Sequence, residues 1–196
     1  MRKVIAAINM TLDGFCDHTA VDPDEEIHQH YTGLLTDAGV LLYGRITYQL
    51  MEYWRTVLAK PTGQRALDEF AQAIDKVPKL VFSRTLHEVD WDSACLATRG
   101  LEDEVLALRQ QAGKDIFVGS PGLIVALTRL GLIDQYQICV HPVIAGGGLP
   151  LFHQLNERIA LKRTATKSFA SGAIIMKLRK RRPSQNWKAQ SASIVT

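Results

Sequence analysis

Short apolar runs alternate with amphipathic stretches along most of this chain. Residues 4–8, 40–43, 79–82 and 116–118 are rich in Val, Ile, Leu and Phe, and each run is followed by a polar or glycine-containing turn. Continuous apolar runs of this length are typical of strands buried on both faces of a parallel sheet. Because the intervening segments have helical periodicity, the pattern predicts an α/β domain.

Five stretches have the spacing of amphipathic helices. The first is predicted to begin at Asp22 as N-cap, with Pro23 in the first helical position and Glu25 three residues after the cap. In the last one, Ser120 is the expected N-cap and Gly131 the residue that stops the helix. The other predicted helices cover about 47–58, 64–75 and 101–112.

The periodicity changes near the C-terminus. Residues 136–141 and 174–178 alternate apolar and more polar side chains, with no helical pattern between the two segments. Such alternation is typical of antiparallel strands. We therefore expect one three-layer α/β/α domain over residues 1–180, with a mostly parallel central sheet closed by antiparallel C-terminal strands.

Composition narrows the class of protein. A chain of 196 residues with 46% hydrophobic residues can bury a full core without disulfides or metal. Its three cysteines are odd in number and widely spaced, which argues against a disulfide framework and fits a reducing cytoplasm. No run approaches the roughly 18 apolar residues of a membrane span, so no membrane partner is expected.

The basic residues are concentrated at the C-terminus. Residues 177–196 contain six of the 23 basic residues and no acidic residue, so residues 1–176 carry 17 basic against 20 acidic side chains. The segment 181–196 is therefore expected to be a basic, solvated tail. Binding of nucleic acid or membrane by this tail is the less favoured alternative.

The junction after residues 40–43 has the features of an anion site. The apolar run ends at Gly44, which allows close approach of a ligand, and a helical pattern follows directly. Arg45 adds a guanidinium and Thr47 a hydroxyl, groups that suit the pyrophosphate of a dinucleotide. The alternative is an ordinary strand-to-helix turn with Arg45 in solvent.

Two later junctions repeat this arrangement. Ser83, Arg84 and Thr85 follow the run 79–82, where a basic residue would favour NADPH over NADH by pairing with the 2′-phosphate. Gly119 and Ser120 follow the run 116–118 and precede another helix. Because ligands of open α/β sheets bind beyond the carboxyl ends of the strands, the three junctions together indicate a nucleotide site.

The order of these motifs, with segments 10–14, 130–134 and 142–148, resembles the dihydrofolate reductase-like superfamily. Within it, the chain is similar to the riboflavin-biosynthesis reductases, the RibD C-terminal-domain family, over residues 4 to about 178. The resemblance implies an NADPH-dependent reductase and a homodimer. It also implies nicotinamide near Ala7 and the Asp13 loop, pyrophosphate at residues 44–47, the 2′-phosphate ribose at residues 83–85, and a further contact at Gly119 and Ser120.

The sequence departs from that family at two places. The riboflavin-pathway reductases usually carry Glu-Gly-Gly where this chain has Val118-Gly119-Ser120. Their first helix tends to carry arginines for the phosphoribosyl group, whereas residues 24–31 here are acidic and contain His28 and His30. An acidic helix is a poor partner for a phosphorylated substrate, so the substrate does not follow from the resemblance.

Three side chains are candidates for contact with the reacting molecule. Asp13, beside the expected nicotinamide position, is the candidate proton donor; its alternative is a turn residue bonded to nearby backbone. Glu25 lies two positions after Pro23, the spacing of the pterin-binding carboxylate of dihydrofolate reductases; its alternative is a solvated first-turn acid. Trp54 either lines the substrate pocket or packs in the core.

We expect an NADPH-dependent reductase of a pteridine, pyrimidine or related heterocycle. If the protein acts in riboflavin biosynthesis, its substrate is 5-amino-6-(5-phosphoribosylamino)uracil. The first alternative is a reductase of dihydrofolate. A second alternative is a nucleotide-binding module without catalysis. No metal site is expected, since His28 and His30 are two residues apart and point in different directions on a helix.

Overall fold

A computed structural model describes residues 1–153, 155 and 157–181. These residues form one mixed sheet, in the order β4-β3-β2-β5-β1-β6-β8-β7, with helices packed on it. The strands are β1 (Val4–Thr11), β2 (Ala38–Gly44), β3 (Lys79–Phe82), β4 (Ala94–Leu96), β5 (Asp115–Val118), β6 (Gln135–His141), β7 (Leu161–Ser168) and β8 (Ile174–Lys180). The helices are α1 (Glu25–Asp37), α2 (Arg45–Met51), α3 (Tyr53–Ala59), α4 (Arg65–Lys76), α5 (Leu101–Gln110) and α6 (Pro121–Arg129).

The predicted fold class is confirmed. Strands β1 to β6 pair in parallel, whereas β8 is antiparallel to both β6 and β7. One face of the sheet forms a core with α5 and α6 through Val105, Ile124 and Leu127. The opposite face packs against α1 and α4 through Leu35 and Ile74. This arrangement is the expected α/β/α sandwich with antiparallel strands at one end.

The helix boundaries differ from the prediction at two places. Asp24, not Asp22, is the N-cap of α1, because its carboxylate accepts the Ile27 N–H at 2.9 Å. The expected helix over residues 47–58 is two short helices that meet at Glu52. There the Arg55 N–H bonds the Glu52 carbonyl three residues back at 3.0 Å, which tightens the turn.

Two strands lack the pattern by which the others were predicted. β4 has three residues, one of them the exposed Cys95. β7 is exposed along nearly its whole length and has a largely polar sequence, so it shows no apolar alternation. Both lie at the edges of the sheet, where burial does not impose a hydrophobic pattern.

The predicted end of α6 is confirmed. Gly131 has a φ of +69° and follows the C-cap residue Leu130. The Leu132 N–H bonds the Leu127 carbonyl at 2.9 Å, and the Gly131 N–H bonds that of Thr128 at 3.1 Å. This left-handed glycine lets the chain turn into β6 while satisfying the last carbonyls of the helix.

A buried ammonium group joins the end of α4 to the start of β3. Lys79 is 1% exposed, and its Nζ donates to the carbonyls of Ile74 and Val77 at 2.6 and 2.8 Å. Nζ also lies 3.9 Å from the ring centroid of Trp91. Burial lowers the pKa of Lys79 to about 8. The lysine supplies partners to carbonyls that the end of a helix leaves unpaired.

The basic tail falls largely outside the described residues, which stop at Arg181. Its structure and the domain boundary at residue 180 therefore stay predictions. In the part of the chain that the structure describes, the helices are too short or too polar to cross a bilayer.

Candidate functional site

A cleft of about 950 Å³ opens where the parallel strands end. Strands β1, β5, β2 and β3 are neighbours in the sheet, so the turns that follow them meet at one edge. Residues of α1, α2, α3 and α4 form the opposite wall. The volume is that of a site for a small molecule or cofactor.

The structure brings together at this cleft all nine residues predicted for the cofactor. Eight of them lie at or just after the ends of β2, β3 and β5, Ala7 lies within β1, and the strand order makes them neighbours. The nine lining residues are Ala7, Gly44, Arg45, Thr47, Ser83, Arg84, Thr85, Gly119 and Ser120.

A hydrogen bond joins two of these junctions. The Gly44 N–H donates to the Ser120 hydroxyl at 2.8 Å, which fixes the turn after β2 against the turn after β5. A Cβ added at Gly44 would have its nearest contact at 3.9 Å, and one at Gly119 would have it at 3.7 Å. Both glycines therefore leave space at the cleft that a side chain would fill.

Backbone donors are available at the start of α6. Ser120 occupies the N-cap position, but its hydroxyl accepts from Gly44, and no described side chain caps this helix. Pro121 has no N–H, so Gly122 and Leu123 carry the first N–H groups, which have no partner within a helix. Both residues line the cleft. This is a suitable environment for a phosphate oxygen.

Two arginines stand at the same end of the cleft. Arg45 begins α2, and its Nη1 donates to Gln49 at 3.0 Å. Arg84 is exposed, and within the described residues its guanidinium has no hydrogen bond or ion pair. The Ser83 hydroxyl accepts the N–H groups of Thr85 and Leu86 at 3.1 and 2.9 Å, which holds the turn that presents Arg84.

The other end of the cleft is an aromatic pocket formed by His28, Tyr31, Met51, Trp54 and Phe70. The rings of Trp54 and Phe70 have centroids 4.5 Å apart. The His28 ring lies edge-on to both, at 5.8 Å from Trp54 and 5.9 Å from Phe70. The pocket therefore presents flat, mainly apolar surfaces to a ligand.

Trp54 fits both of its predicted roles, since it lines the cleft and packs against Phe70. His28 was not predicted for the site. Its Nδ1 lies 2.9 Å from the Asp24 carbonyl, which can only accept, so Nδ1 is the protonated nitrogen of the neutral ring. His30 packs against Phe169 instead. The sequence shows that the two histidines point apart but not which one faces the cleft.

A polar group at the floor of the pocket was also missed. Asn9, on β1, lines the cleft, and its Oδ1 accepts from the Tyr31 hydroxyl at 3.1 Å. The same oxygen lies 3.1 Å from Nε2 of His141, which is 5% exposed. Burial lowers the pKa of His141, although Asp24 opposes the shift. The network fixes Asn9 and Tyr31 beside the predicted nicotinamide position.

Asp13 lies outside the residues that line the cleft. Its carboxylate accepts from the Thr11 hydroxyl at 2.6 Å and from the N–H groups of Ala145 and Gly146 at 3.1 and 2.8 Å. The Thr11 bond, followed by the backbone bonds, lowers the pKa of Asp13 to about 2. A carboxyl group that is ionised at neutral pH has no proton to give, so the structure favours the turn role over the proton-donor role.

Glu25 is also outside the lining. It is exposed in the first turn of α1, and its carboxylate accepts from Gln29 at 2.9 Å. This favours the solvated first-turn acid over the substrate contact. On the same helix, His28 rather than Glu25 lines the cleft.

A cysteine also lines the cleft. Cys16 donates to the Leu149 carbonyl at 3.3 Å, and burial, aided by Asp17, raises its pKa to about 11. The thiol is therefore protonated at neutral pH, which disfavours nucleophilic chemistry at this position.

A family model, the RibD C-terminal domain, matches residues 2–175. This chain belongs to the RibD C-terminal domain family. The match confirms the resemblance drawn from the motif order. The chain is also similar to the uncharacterized protein YyaP of Bacillus subtilis (strain 168), which is 33% identical over 181 residues, 88% of this chain and 92% of that protein.

Solved structures confirm the fold of this RibD C-terminal domain. A pyrimidine reductase-like protein from Corynebacterium diphtheriae has a TM-score of 0.63 at 14% identity, and the match covers 93% of each chain. Dihydrofolate reductase from Enterococcus faecalis, complexed with NADP(H), has a TM-score of 0.60 at 10% identity, with 92% of this chain and 97% of that one covered. At these identities the similarity is one of fold.

Proposed function

We propose that this protein is an NADPH-dependent reductase of a small heterocycle of the pyrimidine or pteridine class. The main support for this proposal is that nine residues predicted from the sequence to bind a dinucleotide line one cleft. Membership of the RibD C-terminal domain family supports it, as does the shared fold with a dihydrofolate reductase that binds NADP(H).

The residues present fit a dinucleotide phosphate. The donor set contains two guanidiniums, the hydroxyls of Thr47 and Thr85, and the free N–H groups of Gly122 and Leu123. Gly44 and Gly119 leave open the space that a Cβ would fill. Arg45 and Thr47 would hold the pyrophosphate, and Arg84 the 2′-phosphate, at the strand ends where the sequence predicted them.

NADPH, when bound, supplies the hydride. The chain has to hold the two reactants, orient them and exclude water. Ala7 and Asn9 lie on β1 between the phosphate-binding end and the aromatic pocket, so both reactants can meet there. We infer that the proton that completes the reduction comes from solvent, because Asp13 is ionised at neutral pH and lies outside the lining of the cleft.

We also propose a homodimer that works in a reducing cytoplasm. Among the described residues, Cys16, Cys95 and Cys139 are all unpaired thiols, as expected in such a compartment. The exposed edge strand β7 leaves backbone groups for pairing with another chain.

Calorimetric titration of the full chain with NADPH, followed by assays of NADPH absorbance, tests the function. Oxidation of NADPH with 5-amino-6-(5-phosphoribosylamino)uracil identifies the riboflavin-pathway reaction, and oxidation with dihydrofolate identifies the folate reaction. Binding without oxidation by any heterocycle would identify the nucleotide-binding module. Absence of NADPH binding would contradict the proposal.

A further inference from the structure

We propose that the aromatic pocket selects a planar heterocycle that carries no phosphate, packed against Trp54 and hydrogen-bonded to His28. This inference rests on the reductase function proposed above and narrows its substrate class. It departs from the phosphoribosyl substrate that the family resemblance implies.

The charge distribution in the cleft disfavours a phosphate in the aromatic pocket. Among the described residues that line the cleft, the lysines and arginines are Arg45 and Arg84, and both belong to the phosphate end. Recognition of a second phosphate needs a guanidinium, an ammonium or free backbone N–H groups. The aromatic pocket contributes none of the first two, so a phosphorylated substrate would be held there by uncharged groups.

The helix that borders this pocket disfavours an anion further. α1 begins with Asp24 as its cap and has Glu25 and Glu26 in its first turn. The Asp24 carboxylate already accepts the Ile27 N–H, and the acidic residues offset the positive end of the helix dipole. Asp17 adds another carboxylate to the lining of the cleft. A phosphate would meet repulsion at this end.

The arrangement of the aromatic rings in the pocket favours a flat ligand. Trp54 and Phe70 meet at 57°, and the His28 ring stands at 66° to Trp54 and 86° to Phe70. These rings brace one another, which holds the Trp54 side chain in place beside the cleft. A flat heterocycle gains dispersion and stacking energy against such a surface, whereas a flexible sugar phosphate gains little.

His28 provides the polar contact. Because Nδ1 donates to the Asp24 carbonyl, Nε2 of the neutral ring is an acceptor, and it has no hydrogen bond to a described residue. Pyrimidine and pteridine rings carry N–H and amino donors on their edges. An acceptor beside stacking rings therefore fits the edge and the face of the same heterocycle.

A matched ligand pair tests the absence of a phosphate site. Calorimetry with NADP+ present would compare 5-amino-6-(ribosylamino)uracil with its 5′-phosphate, and 6-methyl-7,8-dihydropterin would serve as a second planar probe. We expect either phosphate-free probe to bind at least as tightly as the phosphate ester. Tighter binding of the ester by tenfold or more, or binding of none of the three, would overturn the inference.

Two variants test the named side chains. We expect Trp54→Leu and His28→Phe each to lower the affinity for the tightest-binding phosphate-free probe at least tenfold while changing NADPH affinity less than twofold. His30→Phe is the matched control, since His30 lies on the same helix but packs against Phe169. Probe affinity unchanged in both variants, with cooperative thermal unfolding retained, would remove Trp54 and His28 from the substrate site.

NADPH affinity shows whether a negative result concerns the reductase function or only the substrate class. If NADPH binds and the ester is preferred, the reductase function stands and this substrate class is wrong. If NADPH itself does not bind, the proposed function fails and the substrate class fails with it.

Discussion

The Asp13 carboxylate joins the turn after β1 to residues 145–146 through three hydrogen bonds. An Asp-Gly pair in a loop, here Asp13-Gly14, is compatible with either a reactive carboxyl group or a turn residue. Only the hydrogen-bond partners of Asp13 decide between the two roles. Thr11 is two residues away, but Ala145 and Gly146 are more than 130 residues distant, so no local signal could have identified them. The strand-end motifs predicted from the sequence do line one cleft, whereas the position of a side chain that depends on a remote loop could not be predicted.

Asp13→Asn should lower the thermal unfolding temperature at pH 7, because the amide cannot accept all three bonds. The folded-state pKa of about 2 lies below the ordinary value of 3.8, so the stabilisation is complete above pH 4 and is lost as the pH falls toward 2. Unfolding scans at pH 7 and 2.5 should show the difference between parent and variant shrinking. An equal difference at both pH values would contradict this role.

Arg84→Ala should weaken the binding of NADPH by about 1.5 to 3 kcal/mol, the scale of a charge-assisted hydrogen bond, and leave the binding of NADH nearly unchanged. The exposed Arg84 guanidinium after β3, which has no partner among the residues that the structure describes, motivates this prediction. Titration calorimetry with both nucleotides measures it, and Arg65→Ala, at an exposed position at the start of α4, is the control. Equal losses for the two nucleotides would place the 2′-phosphate elsewhere.

Elements buried on both faces were predictable, because their apolar runs are continuous. β4 and β7 were not, since edge strands need no such pattern. The start of α1 was missed by two residues because Asp22 and Asp24 flank Pro23 and either can cap a helix. Which side chains of α1 face the cleft depends on how the helix packs, and here His28 lines the cleft while Glu25 does not.

Two glycines on neighbouring elements should respond oppositely to alanine. At Gly39 in β2, a Cβ would lie 2.6 Å from both the Lys114 carbonyl and the Arg2 guanidinium, so Gly39→Ala should destabilise by about 1 to 3 kcal/mol. At Gly33 in α1 nothing lies within 4 Å, so Gly33→Ala should stabilise by about 0.5 to 1 kcal/mol. Urea unfolding measures both, and changes of the same sign would refute the packing argument.

The strand order explains why one end of the cleft could be anticipated from the sequence while the aromatic pocket could not. Parallel pairing places the ends of β1, β5, β2 and β3 side by side, so motif order alone locates the phosphate end of the cleft. The aromatic pocket is assembled from four helices, α1 to α4, whose relative rotation depends on packing. His28, Trp54 and Phe70 have no shared sequence signal that would reveal their contact.

The molecule should form a dimer in solution. Strand β7 is an exposed edge of eight residues, and two-fold association is the commonest way to cover such a surface. Light scattering at micromolar concentration should give about twice the monomer mass of 21.8 kDa. A mass near that of the monomer would contradict this prediction.

Binding of NADPH in the cleft beside Gly44 can be tested with a Gly44→Val variant. Gly44 has a φ of −80°, which valine tolerates, and a Cβ there has no contact closer than 3.9 Å, so the fold should survive. The added side chain would occupy the space needed by the phosphates. Gly100→Val, at the start of α5 and outside the cleft lining, is the control.

Titration calorimetry of parent, variant and control with NADPH is the measurement, with cooperative thermal unfolding as the check that each chain is folded. The account predicts that Gly44→Val loses at least tenfold in NADPH affinity, whereas Gly100→Val binds as the parent does. A folded Gly44→Val protein that binds NADPH like the parent would show that the cofactor does not lie in this cleft.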